Sequence, residues 1–469
     1  MIDAADLARL LARHLPRQRW FAAGTAPDGD GGPADVEVAV VELDVLGRPD
    51  GPGASPAASD PWPALVRAVA EVDGSRWQVV VGLRPPSDAA GVLEGKPESL
   101  IGELETPHGP ALAYDATVDP ELALALLEVA GGAGGAGDVV RARHLAADQS
   151  NTCVVYDERL ILKLFRRLSD GPNPDVEVGR ALTRVGFRSV PAQLGRWRQG
   201  GTDLAVVHEF LVGGVDGFHL ALTSLHDLFE AGGPPEEAGG DFGPDARRLG
   251  AVTSELHLAL VAAFGEDVAD TGRWADEMLA RLERLPGRDD LAAAGLDGDA
   301  VRERIEAFRA VGSGAGPSVR VHGDFHLGQV LRTDAGWYVL DFEGEPARPL
   351  EERTRPSSPL RDVAGMLRSF HYAAEVALRD YGYVDDPLAR VAGAAWEERN
   401  ADAFLSGYQS TEGVEALLPP NAGDRRAVMD AFLLDKAVYE VAYELAHRPG
   451  WVDIPLAAVR RLLGAGTAR

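Results

Sequence analysis

Cysteine is nearly absent from this sequence, which carries only Cys153 among its 469 residues. A single cysteine excludes an internal disulfide framework and a cysteine-rich metal site, and it is typical of a reducing compartment. The first residues are acidic where a secretory leader would be basic, and no apolar run approaches the roughly 20 residues that a membrane-spanning helix needs. We therefore expect a cytoplasmic protein with no membrane partner.

Positive charge is also scarce. The chain has 73 acidic residues against 46 lysines and arginines, which gives a formal net charge of −27. Nucleic acids and anionic membranes bind basic surfaces, and no basic block of useful length is present. The charge therefore argues against a nucleic-acid partner, whereas 45% hydrophobic and 25% charged residues are ordinary for a globular protein.

The length of the chain exceeds what one ordinary hydrophobic core supports, so we expect two or three domains. An amphipathic helical pattern opens the chain, and β-like runs follow at residues 36–46 and 76–81, separated by a Gly/Pro-rich loop at 48–61. We assign this antiparallel module to residues 1–130. The glycine-rich run at 131–137 is interpreted as a linker, because it lacks the Lys-Ser/Thr of a phosphate-binding loop.

The remainder of the chain changes from strands to helices. Residues 152–165 have a hairpin pattern, followed by a helix start with Asn173 as its cap and by a strand at 204–211. Beyond this point apolar residues recur at three- and four-residue spacing, which indicates helices. These patterns predict an α+β protein of two lobes, with strands at residues 138–212 and a mostly helical lobe at 213–469.

The most informative feature is a pair of strand ends that carry polar side chains. The first is Val321-His322-Gly323-Asp324-Phe325-His326-Leu327-Gly328-Gln329-Val330, and the second is Tyr338-Val339-Leu340-Asp341-Phe342-Glu343-Gly344-Glu345. Phosphoryl transfer to a hydroxyl needs a carboxylate that accepts the hydroxyl proton, together with oxygen ligands for Mg²⁺. We therefore predict Asp324 as the catalytic base, and Gln329 and Asp341 as ligands of Mg²⁺.

A structural alternative exists for the first strand end. His322, Asp324 and His326 would then satisfy one another's hydrogen bonds in a tight turn. The second acidic strand end, at a suitable separation, favours the functional interpretation. For His326 alone, both a structural role and a position facing the substrate stay open.

Lys163 lies in the middle of an apolar strand, where a lysine is unusual unless its ammonium group meets an anion. In a kinase it would contact the nucleotide phosphates, and Glu177 on the following helix would hold it in place. The alternative is an edge-strand lysine that points to solvent. Ser150 and Asn151 precede this hairpin and would let backbone amides approach phosphate, although such a segment is usually an ordinary turn.

A polar and aromatic helix face is predicted near the carboxyl end. Lys436, Tyr439, Glu440 and Tyr443 recur there at three- and four-residue spacing. Such a face suits sugars, whose C–H faces stack on rings while their hydroxyls bond to charged groups. The alternative is a helix that packs through its tyrosines and exposes its acids.

Together these motifs resemble the maltokinases of actinobacteria and the related glucosamine kinases, which belong with the aminoglycoside-phosphotransferase-like kinases. The resemblance covers most of the chain and rests on residues 15–21, 149–152, 162–167, 322–329, 341–346, 358–370 and 436–444. It implies a two-lobed fold like that of eukaryotic protein kinases, with an amino-terminal cap domain on the small lobe and a mostly helical carboxy-terminal lobe.

The resemblance also implies ATP and Mg²⁺ as cofactors, with the base, the metal ligands and the phosphate lysine as assigned above. Many relatives carry Asn where this chain has Gln329, and both amides offer the same oxygen. By the same resemblance, the segment from Glu209 to Leu211 would be the interlobe hinge whose backbone meets adenine.

A sugar is the substrate that the resemblance implies. The leading hypothesis is phosphorylation of maltose at its anomeric hydroxyl, and the rival is 6-phosphorylation of glucosamine. Glu345, Glu440 and Trp451 would contact either sugar. A non-catalytic kinase-like binding module and an aminoglycoside-resistance enzyme are further alternatives. We expect a monomer, although the sequence does not fix the oligomeric state.

Overall fold

The computed structural model describes residues 2–22, 36–47, 61–131, 139–145, 150–287, 291–292, 295–345 and 348–464. The loop at 48–61 and the glycine-rich run at 131–137 lie outside the described residues, apart from residues 61 and 131. The chain divides into two compact units, Met1–Glu177 with Pro191–Val212, and Val178–Val190 with Gly213–Arg469. The predicted separation of residues 1–130 from 138–212 stays a prediction, because residues 1–130 and most of 138–212 belong to the first unit, whereas residues 178–190 belong to the second.

An antiparallel sheet forms the first part of the first unit. Its strands are β1 (Ala39–Gly47), β2 (Ala64–Val72), β3 (Ser75–Arg84), β4 (Leu100–Thr106) and β5 (Gly109–Asp115). They pair in the order β1-β2-β3-β5-β4. The helices of this part are α1 (Ala4–His14), α2 (Arg19–Ala22), α3 (Pro86–Leu93) and α4 (Pro120–Val129). Leu7 and Leu11 of α1 are buried in the sheet's core, as their helical spacing predicts.

A second antiparallel sheet completes the first unit. Its strands are β6 (Ala142–Leu145), β7 (Thr152–Tyr156), β8 (Leu160–Leu164), β10 (Gln193–Gln199) and β11 (Thr202–Glu209), in the order β10-β11-β8-β7-β6. A short strand, β9 (Arg167–Leu168), pairs with β3 of the first sheet.

Turn and capping residues explain the β7–β8 hairpin and the start of the helix that follows. Between β7 and β8, Asp157 and Glu158 have φ values of 49° and 52°, which is the left-handed geometry of a type I′ hairpin turn. The predicted hairpin is confirmed. The helix α5 (Pro174–Val185) begins after Asn173, whose side chain accepts a hydrogen bond from the Asp175 amide at 2.8 Å. The predicted helix cap is therefore also confirmed.

The second unit is mostly helical. Its longer helices are α6 (Gly217–Ala231), α7 (Gly243–Phe264), α8 (Thr271–Glu283), α9 (Gly298–Arg309), α10 (Leu350–Thr354), α11 (Leu360–Asp380), α12 (Pro387–Gln409), α13 (Ala422–His447) and α14 (Asp453–Gly464). They surround one core that includes Trp274, Phe370 and Trp396. The predicted α+β class is confirmed. In the part of the chain that the structure describes, no helix is both long and apolar enough to cross a membrane.

Two small antiparallel sheets interrupt these helices. The strands β12 (Val215–Asp216), β15 (Val330–Thr333) and β16 (Gly336–Val339) form one sheet, and β13 (Glu266–Val268) with β14 (Pro317–Val319) forms the other. The β15–β16 hairpin connects the two polar strand ends that were identified in the sequence.

Arg166 joins the two sheets of the first unit through buried polar contacts. Its side chain is 1% exposed, and its Nε donates to Thr152 Oγ1 at 2.7 Å. Its guanidinium forms an ion pair with Asp115 at the end of β5 and lies 4.6 Å from the ring of Trp20. Asp115 ends β5 of the first sheet, Trp20 packs in the core of that sheet, and Thr152 begins β7 of the second sheet. The Arg166 side chain therefore links the two sheets.

Arg166→Met is expected to lower the free energy of unfolding by about 3–5 kcal/mol, because it leaves the buried Asp115 carboxylate without its cation. Urea denaturation measures this loss. The neighbouring Arg167 is exposed and lies 5.8 Å from the Trp77 ring, so Arg167→Met should cost less than about 1 kcal/mol. Equal losses in the two variants would contradict the role given to Arg166.

Candidate active site

The β15–β16 hairpin brings the two polar strand ends of the sequence to the same end of one small sheet. Val330 faces Val339 across the pair, and the Leu340 amide donates to the Gln329 carbonyl at 2.9 Å. The loop that carries Asp324 precedes β15, and the turn that begins at Asp341 follows β16. Pairing of two short apolar strands is thus the local reason why these polar groups meet.

His322 has a structural role in this loop. Its Nδ1 accepts a hydrogen bond from the Asp324 amide at 3.3 Å, and its Nε2 lies 2.9 Å from the Leu340 carbonyl. Because Nδ1 acts as an acceptor, the proton of the neutral ring resides on Nε2 and is donated to that carbonyl. The ring therefore links the loop at residues 320–329 to the second strand end. This loop carries Asp324, the predicted base, and is called the base loop below.

One face of α11 holds the backbone of the base loop. The Asp362 carboxylate accepts the His322 and Gly323 amides at 2.7 and 2.9 Å, and Ser369 Oγ accepts the Leu327 amide at 3.0 Å. Burial raises the pKa of Asp362, but His257 and the backbone donors outweigh it, so its pKa lies below the ordinary value. The carboxylate stays ionised and fixes the loop.

Gly365 lies between these two supports on α11. A Cβ atom there would stand 2.5 Å from the Phe325 carbonyl oxygen, so only glycine lets the helix approach the loop so closely. These roles were missed at the sequence level, although residues 358–370 contributed to the resemblance. The available signal was the spacing of Asp362, Gly365 and Ser369, which places them on one helix face.

Lys436 of α13 lies between two carboxylates. Its Nζ is 3.0 Å from Asp324 Oδ1 and 2.8 Å from Glu345 Oε1. Burial lowers the pKa of Lys436, but Asp324 and Glu345 outweigh it, so the net pKa is raised. For Asp324, burial raises the pKa, and Lys436 followed by His326 brings it below the ordinary value. The predicted base is thus an ionised carboxylate whose side chain is 15% exposed.

Glu345 is enclosed by cations, although the sequence predicts that it contacts the sugar. Its side chain is only 2% exposed and pairs with Arg348 and Arg361 as well as Lys436. Burial raises its pKa, and Arg348 and Lys436 outweigh that effect, so the pKa lies well below the ordinary value. This environment favours a supporting role for Glu345.

His326 faces Asp324 from the same loop. Its Nδ1 accepts the Gly328 amide at 3.1 Å, which leaves the proton on Nε2, and Nε2 lies 3.9 Å from Asp324 Oδ2. Burial lowers the pKa of His326, and Asp324 opposes this only in part. A neutral imidazole N–H therefore borders the oxygen of Asp324 that Lys436 does not contact.

Gln329 and Asp341 provide a plausible donor set for Mg²⁺. Gln329 Nε2 lies 3.5 Å from Asp341 Oδ2, and Asp341 has an uncommon φ of 61° at the start of its turn. Rotation of the amide presents its oxygen beside the carboxylate. Among the described residues, no group of three or more His, Cys, Asp or Glu side chains could hold a metal. Mg²⁺ at this pair would complete its coordination with water and phosphate oxygens, as it usually does.

Lys163 of the first unit forms an ion pair with Asp175, whose Oδ2 lies 3.1 Å from Nζ. The sequence predicts Glu177 in this role, and Glu177 lies two residues further along the same first turn of α5. Asp175 is buried and was missed at the sequence level. Both acids were visible in the sequence, and the role of Glu177 beside Lys163 stays a prediction.

The other predicted nucleotide groups lie in the same unit. Ser150 Oγ accepts a hydrogen bond from Asn151 Nδ2 at 3.1 Å, just before β7. At the end of β11, the Glu209 amide donates to the Ala192 carbonyl at 2.9 Å. Leu211 follows two residues later, next to the boundary of the unit at Val212.

The predicted sugar-facing residues of α13 are only partly brought together with Asp324. Tyr439 lies beside the site, because its ring is 4.7 Å from Lys436 Nζ. Glu440 pairs instead with Arg368 at 2.6 Å. Trp451 stands beyond the end of the helix and stacks on Tyr372.

Comparison with known proteins places this architecture in a class. Residues 141–401 match the model of the phosphotransferase enzyme family, APH. A glucosamine kinase of Mycolicibacterium smegmatis is 31% identical over 338 residues, which cover 70% of this chain and 80% of that protein. A glucosamine kinase of Streptacidiphilus jiangxiensis is 29% identical over 418 residues, which cover 85% of this chain and 88% of that protein.

A solved structure shows the same fold over nearly the whole chain. It is a glucosamine kinase in complex with glucosamine, ADP and inorganic phosphate, with a TM-score of 0.64 at 22% identity over 97% of this chain and 99% of that chain. The protein is thus a phosphotransferase with the predicted kinase-like fold. It belongs to the phosphotransferase enzyme family, APH, which confirms the predicted enzyme class.

Gly365→Ala is expected to lower the free energy of unfolding by about 1–3 kcal/mol, because the new methyl group collides with the backbone of the base loop. The same displacement should lower kcat by about 10-fold or more, since Phe325 adjoins Asp324. Urea unfolding and steady-state kinetics measure the two effects.

A second helical glycine provides the matched control. A Cβ atom at Gly393 of α12 would make only ordinary contacts, 3.7 Å from the Phe229 ring. Gly393→Ala should therefore leave kcat unchanged and raise stability by up to about 1 kcal/mol. Full activity and stability in Gly365→Ala would show that α11 does not hold the loop.

Proposed function

We propose that this protein is an ATP-dependent sugar kinase that phosphorylates glucosamine at its 6-hydroxyl. The observation that carries the chemistry is the ionised Asp324, held by Lys436 at 3.0 Å and still partly exposed. The choice of sugar is supported by the two curated relatives, both of which are glucosamine kinases. This reverses the order predicted from the sequence, in which maltose came first.

Asp324 would orient the acceptor hydroxyl and receive its proton. As the sugar oxygen bonds to the γ-phosphorus, the bond to the bridging oxygen breaks and ADP leaves. The proton moves from the hydroxyl to the carboxylate, which must be ionised to receive it. The adjacent Lys436 ammonium keeps it ionised against the opposing effect of burial, and the neutral His326 N–H on the other side would help to orient the carboxylate or the sugar.

Gln329 and Asp341 would hold Mg²⁺ through one amide oxygen and one carboxylate. When bound, the ion offsets the negative charge of the transferring phosphoryl group. Lys163, fixed by Asp175, would contact nucleotide phosphates, and Glu177 would add negative charge near that lysine.

Backbone groups would complete nucleotide binding. The residues before β7, Ser150 and Asn151, would approach phosphate through their amides. The Glu209 amide is engaged with Ala192, so adenine recognition by the predicted hinge would fall to other backbone groups there, such as the Leu211 amide.

The position of Lys436 supports the 6-hydroxyl as the acceptor. Glucosamine carries an ammonium group at carbon 2, and its hydroxyls at carbons 1 and 3 are adjacent to that group. If either were the acceptor, two cations would lie close together beside Asp324, which is unfavourable in a buried site. The 6-hydroxyl is more distant from the amine. Tyr439 would then face the sugar ring, whereas Glu440 pairs with Arg368 and Trp451 stacks on Tyr372.

The acceptor is tested by measuring ADP release from ATP with glucosamine and with maltose. We expect kcat/KM to be at least about 100-fold higher for glucosamine, because a site shaped for one sugar loses binding energy with another. Product analysis should show phosphate at carbon 6. Faster turnover of maltose than of glucosamine would contradict the proposal and would favour maltose, the sugar that the sequence hypothesis put first.

Asp324→Asn is the control for this assay. It keeps the shape of the side chain but removes the proton acceptor, and should lower kcat about 10²- to 10⁴-fold with either sugar. Unchanged sugar-dependent turnover would show that the reaction does not use this site, and would favour the non-catalytic reading of the motif.

Lys163→Met tests the nucleotide assignment. The chain has three lysines, Lys96, Lys163 and Lys436, and Lys96 serves as the control for Lys163. We expect kcat/KM for ATP to fall about 10- to 100-fold with the KM for sugar nearly unchanged, because a cation at the phosphates is lost. Lys96 donates to the Val118 carbonyl at 3.0 Å, and Lys96→Met should leave both parameters unchanged. Normal ATP kinetics in Lys163→Met would remove that residue from the nucleotide site.

A further inference from the structure

The side chain of Lys436 is almost fully committed to other protein groups. Two of its ammonium contacts are the carboxylates of Asp324 and Glu345, at 3.0 and 2.8 Å. On another side lies the ring of Tyr439, 4.7 Å from Nζ. An ammonium group has three N–H donors, so little capacity is left for sugar hydroxyls.

The partner of Lys436 is held just as firmly. Glu345 uses Oε1 for Lys436, and its Oε2 meets Arg348 and, at 3.4 Å, Arg361. Arg361 also donates to the Gly323 carbonyl at 3.0 Å, next to Asp324 itself. Glu345 therefore belongs to a rigid framework that includes the backbone of the base loop.

Asp435 takes part in further ion pairs next to this framework. Asp435, which precedes Lys436 in α13, lies 2.8 Å from Arg281 of α8 and 3.2 Å from Arg348. Asp435 and Lys436, which are neighbours in α13, therefore bind two different members of one ion pair: Asp435 contacts Arg348, and Lys436 contacts Glu345. Neither Lys436 nor Glu345 can move without breaking contacts to several elements.

From this geometry we infer that Lys436 is a positioning residue for Asp324 and not a ligand of the sugar. It occupies Oδ1 of the carboxylate, so Oδ2 is the oxygen that receives the hydroxyl proton. The inference rests on the proposed role of Asp324 as base, and it goes beyond that role by naming the group that aims the base and keeps it ionised.

The charged surroundings of Asp324 give this inference a measurable consequence. The groups that face its carboxylate or its loop are Lys436 and Tyr439 from α13, His322 and His326 from the loop, Glu345 from the turn after β16, and Arg361 and Asp362 from α11. Burial and Glu345 raise the pKa of Asp324, whereas Lys436 and His326 lower it. Removal of Lys436 therefore leaves the two raising influences largely unopposed.

Lys436→Met is the decisive variant, measured by kcat and by sugar KM as functions of pH. The base must be ionised, so the acid limb of the kcat profile follows the pKa of Asp324 in the complex. We expect this limb to move to higher pH by about one unit or more, and kcat near neutrality to fall about 10-fold or more. The sugar KM should change less than about 3-fold.

Conservative and unrelated substitutions separate charge from structure. Lys436→Arg keeps the charge and should restore the acid limb, with kcat only partly recovered because the guanidinium fork has a different shape. Arg399→Met removes a different ion pair of the same unit, the one with Asp241 at 2.6 Å, and should leave the profile in place. A raised sugar KM with an unmoved acid limb in Lys436→Met would make Lys436 a sugar ligand and overturn the inference.

A measurement without substrate separates this inference from the proposed function. The ¹³C carboxyl resonance of Asp324, assigned by its loss in Asp324→Asn, reports the pKa of the free protein in wild type and Lys436→Met. We expect the higher pKa in the variant, and equal values would overturn the inference whatever the acceptor is. If wild type phosphorylates neither sugar, the proposed function fails while this comparison still decides the role of Lys436. Lys436→Gln serves in the same comparison if the methionine variant does not fold.

Discussion

The candidate active site depends on one ammonium group between two buried carboxylates. Asp324 and Glu345 would repel each other if both were ionised without a cation between them, and one would bind a proton. Lys436 contacts both, and arginines from two other segments surround Glu345. Buried ion pairs add little net stability, because desolvation offsets their attraction. Their effect here is geometric, since they fix where the Asp324 carboxylate points.

The same carboxylate is fixed a second time through its backbone. Asp362 accepts the amides of His322 and Gly323, and the Asp324 amide donates to His322. One set of contacts thus determines the path of the loop, and the other determines the direction of the side chain that leaves it. A base that is held from both sides loses little entropy when the substrate binds, which is how preorganised groups contribute to catalysis.

Local patterns were sufficient to predict the elements, but not which side chains pair at the candidate site. The strand ends around Asp324 and Asp341, the β7–β8 hairpin and the Asn173 cap follow from short-range turn and capping chemistry. Lys436 lies 112 residues from Asp324, and helical spacing marks a face without showing which residue reaches across. The sequence predicts Glu177 as the acid that holds Lys163, and the contact of Lys163 with Asp175 was missed for the same reason. Side-chain pairing is decided by tertiary packing, which local periodicity does not encode.

The pairing of acids also bears on the proposed recognition of glucosamine. A net acidic chain would be expected to offer a free carboxylate to the amine of glucosamine, yet Glu345 and Glu440, the acids predicted to contact the sugar, already pair with cations. Glu345 meets three cations, and Glu440 meets Arg368. Each of these contacts neutralises charge where a sugar would bind. On the proposed cationic sugar, the net charge of −27 would act mainly as a long-range field that favours encounter. Selection among sugars then depends on shape and on hydroxyl contacts near Asp324, where each unmatched polar group has a large cost.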